Sequence, residues 1–469
     1  MAGRRGPPRP RENFHDQQVP ATGASGKSHS RGASRDRAGP MSAGRHVAVI
    51  GAGAAGLCAA KHLLGRGQKV TVFEYGGYIG GLWVYDNDNG MSPAYQSLHL
   101  NSEHKVTAYE DFPFPPGSPL YPDHAQVTAY LRAYAEHFGL MPHIRLHSPV
   151  TAVQPVDHEG QRKWRVEVKG ESAGLFDAVV VASGHQNVPR HPPFAQQFEG
   201  QYLHAHDYRL PEPFKGKKVL VVGIGNSACD IASDIAPHTR DAVVAARSPV
   251  LLMPRMFLGV PTSRVLAKLE KPWMPWPLRR LIRTTLSRLA FGTMEQWGFR
   301  TPQTRTHPAG HHLLMGHFVW GRLRAKPGIA KIQGRQISFE DGSSEEFDTL
   351  IAATGYLVEL PFLPANCSPM EEHWINLYQR VVHPQEEGLY FVGFFNVSGG
   401  GNIRMMDDQS RWVADLLTGK ARLPSPQAMR EEILADRALV QKRYPDSPRY
   451  GLELDPLDYR RSLAKAMRQ

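Results

Sequence analysis

The chain has 469 residues, 41% hydrophobic and 21% charged, which is enough apolar material for a sizeable buried core in two or three domains. No run of about 18 apolar residues occurs, so no transmembrane helix is expected, and three widely spaced cysteines (Cys58, Cys229, Cys367) exclude a disulfide framework, a C-x-x-C redox centre and a cysteine zinc site. The formal charge of +11 sits mostly at one end: residues 1–45 hold nine Arg or Lys against three Asp or Glu, a net +6, and the remaining +5 is a mild bias that suits anionic small molecules and carries no nucleic-acid motif.

Residues 1–44 are rich in Arg, Ser, Gly and Pro without apolar periodicity, which predicts disorder. They lack the apolar core of a secretory signal. A solvated tail, or a start at Met41, is favoured over an Arg-rich organelle transit peptide. The pattern then predicts a strand over 46–50, a helix over 54–64 and a strand over 69–73, the opening of a βαβ unit. Between strand and helix lies Gly51-Ala52-Gly53-Ala54-Ala55-Gly56, and Glu74 follows at the tip of the next strand. Glycines there allow a tight turn and close approach to a diphosphate. The helix N-terminus supplies free N–H groups, and the carboxylate accepts from a ribose diol. Six residues beyond Glu74, Gly80 precedes Gly81, Leu82 and Trp83, which offer close backbone approach and a flat apolar wall to a ring system such as a flavin.

A buried strand is predicted over 176–183. At 218–222 the whole pattern restarts, with Gly223-Ile224-Gly225-Asn226-Ser227-Ala228, a helix over 227–236 and a strand over 242–246. Ala228 replaces the third glycine, which the fingerprint tolerates. This second unit ends in Arg247, followed by Ser248, and a guanidinium suits a 2′-phosphate where a carboxylate would not. Two loops with opposite terminal charges imply two different nucleotides, as in an enzyme passing a hydride from NADPH to a bound flavin. Cys58 and Cys229 fall on the two loop helices, where small buried side chains are expected.

Residues 248–330 are rich in Trp, Met, Arg and Pro. The basic aromatic stretch 271–283 predicts a helix over the active site with solvated arginines, membrane-surface contact being the alternative. His307, His311, His312 and His317 have no Cys or carboxylate interleaved at ligand spacing, so no metal is expected. A strand over 347–352 runs into Ala353-Thr354-Gly355-Tyr356. Another follows over 389–392, then a helix over 408–417. Ser425 and Pro426 read as the N-cap and first position of a helix to about 443. The expected architecture is α/β, with one nucleotide domain inserted into the other. The first domain covers 45–208 and resumes over 338–469 with the C-terminal helices. The second, with a substrate-channel insertion, covers 209–337.

Residues 198–208 (Phe198, Gly200, His204 and Tyr208 at the fixed positions) fit the pattern F-x-G-x-x-x-H-x-x-x-Y. This signature resembles the flavin-containing monooxygenases; Baeyer–Villiger monooxygenases carry Trp where this chain has Tyr208. Further matches are Gly80-Gly81-Leu82-Trp83, Asp111-Phe112-Pro113-Phe114-Pro115, Gly225-Asn226-Ser227 with Asp230-Ile231-Ala232, Ala353-Thr354-Gly355-Tyr356, and Gln409 with Arg411-Trp412, and together they span 46 to 420.

The resemblance implies two Rossmann-like domains, the NADP domain inserted into the FAD domain, with FAD and NADPH as cofactors. It implies that reduced flavin reacts with O₂ to a C4a-hydroperoxyflavin that oxygenates an amine nitrogen or sulfur of a small molecule. Cofactor contacts are implied for Asp230, Thr354, Gly355 and Gln409. They are also implied for Leu100, Asn101 and Ser102 in the segment Ser97-Leu98-His99-Leu100-Asn101-Ser102. Asn101 is the implied catalytic residue, touching both flavin and nicotinamide. Leu100 stands where the family has Thr. His204 and Tyr208 are expected to pack the interdomain linker. No apolar C-terminal anchor of the mammalian kind is present, and a soluble, cytoplasmic protein is expected. A Baeyer–Villiger or N-hydroxylating monooxygenase is the nearest alternative, and a non-enzymatic NADP(H)-sensing flavoprotein the outermost one. Substrate identity and oligomeric state stay open.

Overall fold

The computed structural model describes residues 44–271, 273–311, 313–397, 401–445 and 447–469. The tail expected to be disordered lies outside them except for Gly44, as does His312.

Two five-stranded parallel sheets are built on one plan. The first has the order Leu389–Phe391, Ala178–Val181, His46–Ile50, Lys69–Phe73, Ile144–Arg145. The second has the order Leu323–Lys326, Asp241–Ala245, Lys218–Val222, Thr349–Ala352, Gln201–His204. Strands covered on both faces read as continuous apolar runs, which is why 46–50 and 218–222 stand out in the sequence. Val47, Val49, Val219 and Val221 are all fully buried. In each unit the glycine loop and its helix (Ala54–Gly65 and Asn226–Ile235) join the central strand to its neighbour. A three-stranded antiparallel sheet (150–176 and 329–346) then precedes the strand that pairs on the other side.

The two units differ in the source of the fifth strand. In the first sheet it comes from far downstream, Leu389–Phe391. In the second it comes from upstream, Gln201–His204. Two strands of this sheet lie beyond the expected boundaries, 208 and 338. Gln201–His204, read as the end of the first domain, and Thr349–Ala352, read as part of its return, both belong to the second sheet, where Leu350 aligns with Leu220 on one side and Tyr202 on the other. An apolar period of two marks a strand but not which sheet it joins.

Other elements shift little. The helix expected over 408–417 begins earlier, Asn402–Leu417. Ser425 caps Pro426–Arg443, its Oγ accepting from the Ala428 N–H at 3.2 Å. Two arginines of the helix within the basic aromatic stretch, Trp276–Phe291, turn inward where solvated ones were expected. Arg279 is buried and donates to Asp455 at 3.3 Å, and Arg283 grips Glu270 with two bonds of 2.6 and 2.8 Å. Asp455 also receives Arg305 at 2.9 Å, so the C-terminal segment ties down the insertion. The carboxylates that draw these arginines inward are remote in sequence or lie just outside the stretch, and buried cations require them.

His204 closes the edge strand of the second sheet. It is buried, its Nδ1 accepts from the His206 N–H at 3.1 Å, and burial pushes its imidazole down to about 4. The unfolded chain binds this proton near pH 6.5, so the neutral native ring stabilises the fold above that value and the contribution is lost as the pH falls toward 4. We expect this one group to cost about 2 kcal/mol between pH 7.5 and pH 5, from about 1.4 kcal/mol per pH unit. His204→Gln should flatten that part of the pH dependence of the denaturant midpoint; an unchanged slope would contradict the assignment.

Candidate active site

The two glycine loops share their backbone chemistry. Gly51 has φ +101°, its N–H donates to the Phe73 carbonyl at 2.8 Å, and a Cβ on it would lie 2.6 Å from the Ala182 carbonyl oxygen. Gly223 has φ +118°, donates to the Ala245 carbonyl at 2.9 Å, and a Cβ would lie 2.6 Å from the Ala353 oxygen. No side chain fits either position. Helix and strand approach so closely in the first unit that a Cβ on Gly56 would stand 1.8 Å from the Gly51 oxygen, whereas Ala228 in the second fits fully buried.

At the first loop, Gly80 donates to the Ala52 carbonyl at 3.0 Å, and a Cβ on Gly81 would meet the Gly53 Cα at 3.1 Å. Two bare backbone runs therefore face each other at a helix N-terminus whose first residues are Ala54 and Ala55, a shelf suited to a diphosphate. Glu74 is buried at the strand tip. It accepts from the Ala52 N–H at 2.7 Å and the Gly76 N–H at 3.0 Å, and burial pushes its carboxyl up against those bonds. A carboxylate accepts about four hydrogen bonds, so two backbone donors leave room for a ribose diol. Trp83 is half-buried against the first core, its carbonyl accepting from Thr128 Oγ1 at 2.9 Å; Leu82 is exposed.

Segment 95–101 of the first unit is clasped by the second. Tyr95 donates its hydroxyl to Asp230 at 2.7 Å, and Ser97 donates to Asp234 at 3.0 Å. Tyr208, the last residue of the signature, also donates to Asp234, at 2.6 Å. Asp230 and Asp234 lie one turn apart on the second loop helix. The Arg255 guanidinium bridges Asp230 at 3.2 Å and the Asn101 carboxamide oxygen at 3.1 Å. Asn101 thus stands exposed at the seam, its backbone oxygen 4.0 Å from where a Gly310 Cβ would be, while Gly310 donates to Asn226 Oδ1 at 3.2 Å. Ser227 is half-buried beside Asn226.

Three residues expected at a cofactor also have partners within the protein. Asp230 is buried with Tyr95, Arg255 and His311 as partners, His311 Nε2 at 2.9 Å. Leu100 packs in the first core. Gln409 is fully buried, its Oε1 accepting from the Gly393 N–H at 3.0 Å and its Nε2 donating to the Tyr459 hydroxyl at 2.6 Å. The buried polar side chains of Asp230 and Gln409 are thus satisfied within the protein. Ser102 pairs with Thr107 at 2.7 Å. The Thr354 carbonyl and the Gly355 turn (φ +85°) are bound by Arg190, whose Nη2 reaches the Thr354 oxygen at 2.8 Å. Sequence reasoning missed Arg190, because nothing local links 190 to 354. Arg247 and Ser248 are exposed at the second strand tip, the Arg247 carbonyl accepting from Arg300.

A cavity of about 590 Å³, lined among others by Lys105, Tyr109, Phe114, Arg264 and Arg404, opens beside the first loop helix, which Tyr109 reaches through a 2.6 Å bond to the Ala54 carbonyl. Among the described residues no cluster of His, Cys, Asp and Glu could hold a metal ion; His307 pairs with Glu453 at 2.9 Å. All three cysteines are free and buried, Cys58 and Cys229 on the loop helices as expected.

The family described as flavin-binding monooxygenase-like matches residues 44–468. Flavin-containing monooxygenase 1 of Homo sapiens is 32% identical over 418 residues, 83% of this chain and 77% of that protein. Dimethylaniline monooxygenase 2 (N-oxide-forming) of Cavia porcellus is 29% identical over 442 residues, 90% of this chain and 82% of that one. Among solved structures, S-allyl-L-cysteine S-oxygenase from Allium sativum superposes with a TM-score of 0.68 at 26% identity, covering 90% of this chain and 88% of that one.

The clearance at Gly56 gives a sharp expectation. Gly56→Ala should force the first loop open and lower the flavin retained through purification more than tenfold, read as visible absorbance per protein, while NADP⁺ binding at the second loop persists. Full flavin content in a folded variant would contradict the role given to this loop.

Proposed function

The chain belongs to the flavin-binding monooxygenase-like family as an FAD- and NADPH-dependent monooxygenase, and we propose that it transfers oxygen from O₂ to the amine nitrogen or sulfur of a small molecule. The observation that supports this reading is the clasp of segment 95–101 onto the second loop helix, with Asn101 bonded across the seam by Arg255.

The residues divide the work. The Gly51–Gly56 loop and Glu74 hold the diphosphate and ribose of FAD, with Gly81, Leu82 and Trp83 beside its ring. The second loop (Gly223, Gly225, Asn226, Ser227) holds the diphosphate of NADPH, with Arg247 and Ser248 on its 2′-phosphate. Bound FAD supplies the redox chemistry, accepting the hydride and activating O₂. Asn101, an uncharged donor and acceptor kept in orientation by Arg255, positions flavin and nicotinamide and helps keep water out. The cavity beside Tyr109 is the entry for substrate. Its lining is both apolar and cationic, and no nucleic acid is needed as partner. The N-oxide-forming and S-oxygenating relatives support nitrogen and sulfur as acceptors. No helix among the described residues is long and apolar enough to cross a membrane, and free buried thiols suit a cytoplasmic location.

Steady-state assays with tertiary amines and thioethers test this reading: one oxide formed per NADPH consumed is expected, and NADPH oxidation without product across the panel would overturn it. Arg247→Ala should raise the KM for NADPH about 10- to 100-fold and leave that for NADH unchanged, as befits loss of one charge-assisted contact; equal effects would remove Arg247 from the 2′-phosphate. Asn101→Ala should keep FAD bound while most NADPH is diverted to hydrogen peroxide, read by coupling of product to NADPH. Unaltered coupling would remove Asn101 from this role.

A further inference from the structure

We propose that Arg449, carried by the C-terminal segment, is a diphosphate-binding arginine of the second glycine loop, so that a segment anchored on the flavin half grips the nicotinamide dinucleotide directly. The inference rests on the assignment of NADP(H) to that loop.

A Cβ built on Gly225 would meet one protein group within 4 Å, the Arg449 guanidinium, with Nη2 at 4.0 Å. Gly225 is the middle glycine, the one whose missing side chain lets the backbone approach a diphosphate. Arg449 therefore stands over the place where that group is held, 224 residues away in sequence. Burial lowers the pKa of Arg190, and the charges of Arg247 and Arg449 lower it further. Arg190 is fastened to the Thr354 carbonyl, and Arg247 lies at the strand tip. Among the described residues, none of the three has a carboxylate partner, whereas Arg279, Arg283, Arg305 and Arg324 all have one. A guanidinium held over the loop without a carboxylate beside it favours an anionic ligand there. A dinucleotide with a diphosphate and a 2′-phosphate supplies that negative charge.

Arg449 is mounted beside the flavin half. Ser447 Oγ caps its N–H, and its guanidinium lies 5.9 Å from the centre of the Tyr450 ring. Tyr450 is buried. The next residue, Gly451, passes so close to the first unit's chain that a Cβ would be 1.8 Å from the His373 oxygen, and its carbonyl accepts from Arg380 at 3.1 Å. Strand Glu453–Leu454 then pairs with Asn396–Val397. A phosphate held by Arg449 is thus coupled through a few rigid residues to the flavin-side chain.

Position separates the two phosphate roles. Arg247 serves the 2′-phosphate, which only NADP⁺ carries; Arg449 serves the diphosphate, which NADP⁺ and NAD⁺ share. Calorimetric titration of the FAD-loaded, full-length protein with NADP⁺ and with NAD⁺ tests this. Arg449→Gln should weaken both about tenfold or more and leave their ratio unchanged, with Arg449→Lys recovering part of the loss and flavin content unaltered. Arg247→Ala should weaken NADP⁺ alone. Unchanged affinity in Arg449→Gln, or a loss confined to NADP⁺, would overturn the proposal. If Arg449→Gln does not fold, the lysine variant decides: unchanged affinity for both ligands again overturns it. Failure of the wild-type protein to bind either dinucleotide would instead sink the assignment of the second loop.

Discussion

The arrangement depends on two carboxylates one helical turn apart. Asp230 and Asp234, on the helix behind the second glycine loop, take the hydroxyls of Tyr95, Ser97 and Tyr208. Hydride transfer demands reacting atoms within about 3–3.5 Å, yet the two nucleotides rest on separately folded sheets. A bond from a hydroxyl to a carboxylate contributes about 1.5–3 kcal/mol, and buried Asp230 left unpaired would cost more than half-buried Asp234. The clasp is therefore strong and also hard to relax into another geometry. It places Asn101 at the seam, through Arg255, with a side chain that is neither charged nor free to turn.

Around this clasp the chain repeats one solution twice. Gly51 and Gly223 both have positive φ, and a Cβ on either would strike a carbonyl oxygen. Function resides in what is not repeated. The first strand ends in a buried carboxylate tied to its own loop, the second in exposed arginine. The fifth strand differs as well, and that difference makes one unit an insertion. The signature at 198–208 gains a physical meaning from it: its middle forms the edge strand of the second sheet, and its last hydroxyl completes the clasp.

What the sequence made legible is what a short window determines. Both glycine loops, Glu74, Arg247, the Ser425 cap and the central strands rest on patterns no longer than about 25 residues, and the structure has them at those places. What escaped depends on partners far along the chain. The sheet joined by 201–204 or 349–352 is decided by the strand beside it. Arg279 and Arg283 turn inward because Asp455 and Glu270 meet them. Asp230 and Gln409 carry the polar chemistry of ligand contacts, yet Tyr95, Arg255, His311, Gly393 and Tyr459 claim them first. Arg190 and Arg449 gave no signal at all, because an arginine beside a phosphate shelf looks in sequence like any other surface arginine.

One chain reduces flavin with NADPH and delivers an atom of O₂ to a soft nucleophile. The most direct test is a double-mixing experiment. FAD-loaded protein is reduced anaerobically with NADPH, then mixed with ¹⁸O₂ and a thioether or tertiary amine while flavin absorbance is followed. The account predicts bleaching on the first mix, recovery of the oxidised spectrum after the second, and one ¹⁸O in the product oxide. Reoxidation that yields hydrogen peroxide and no labelled product with any acceptor would contradict it.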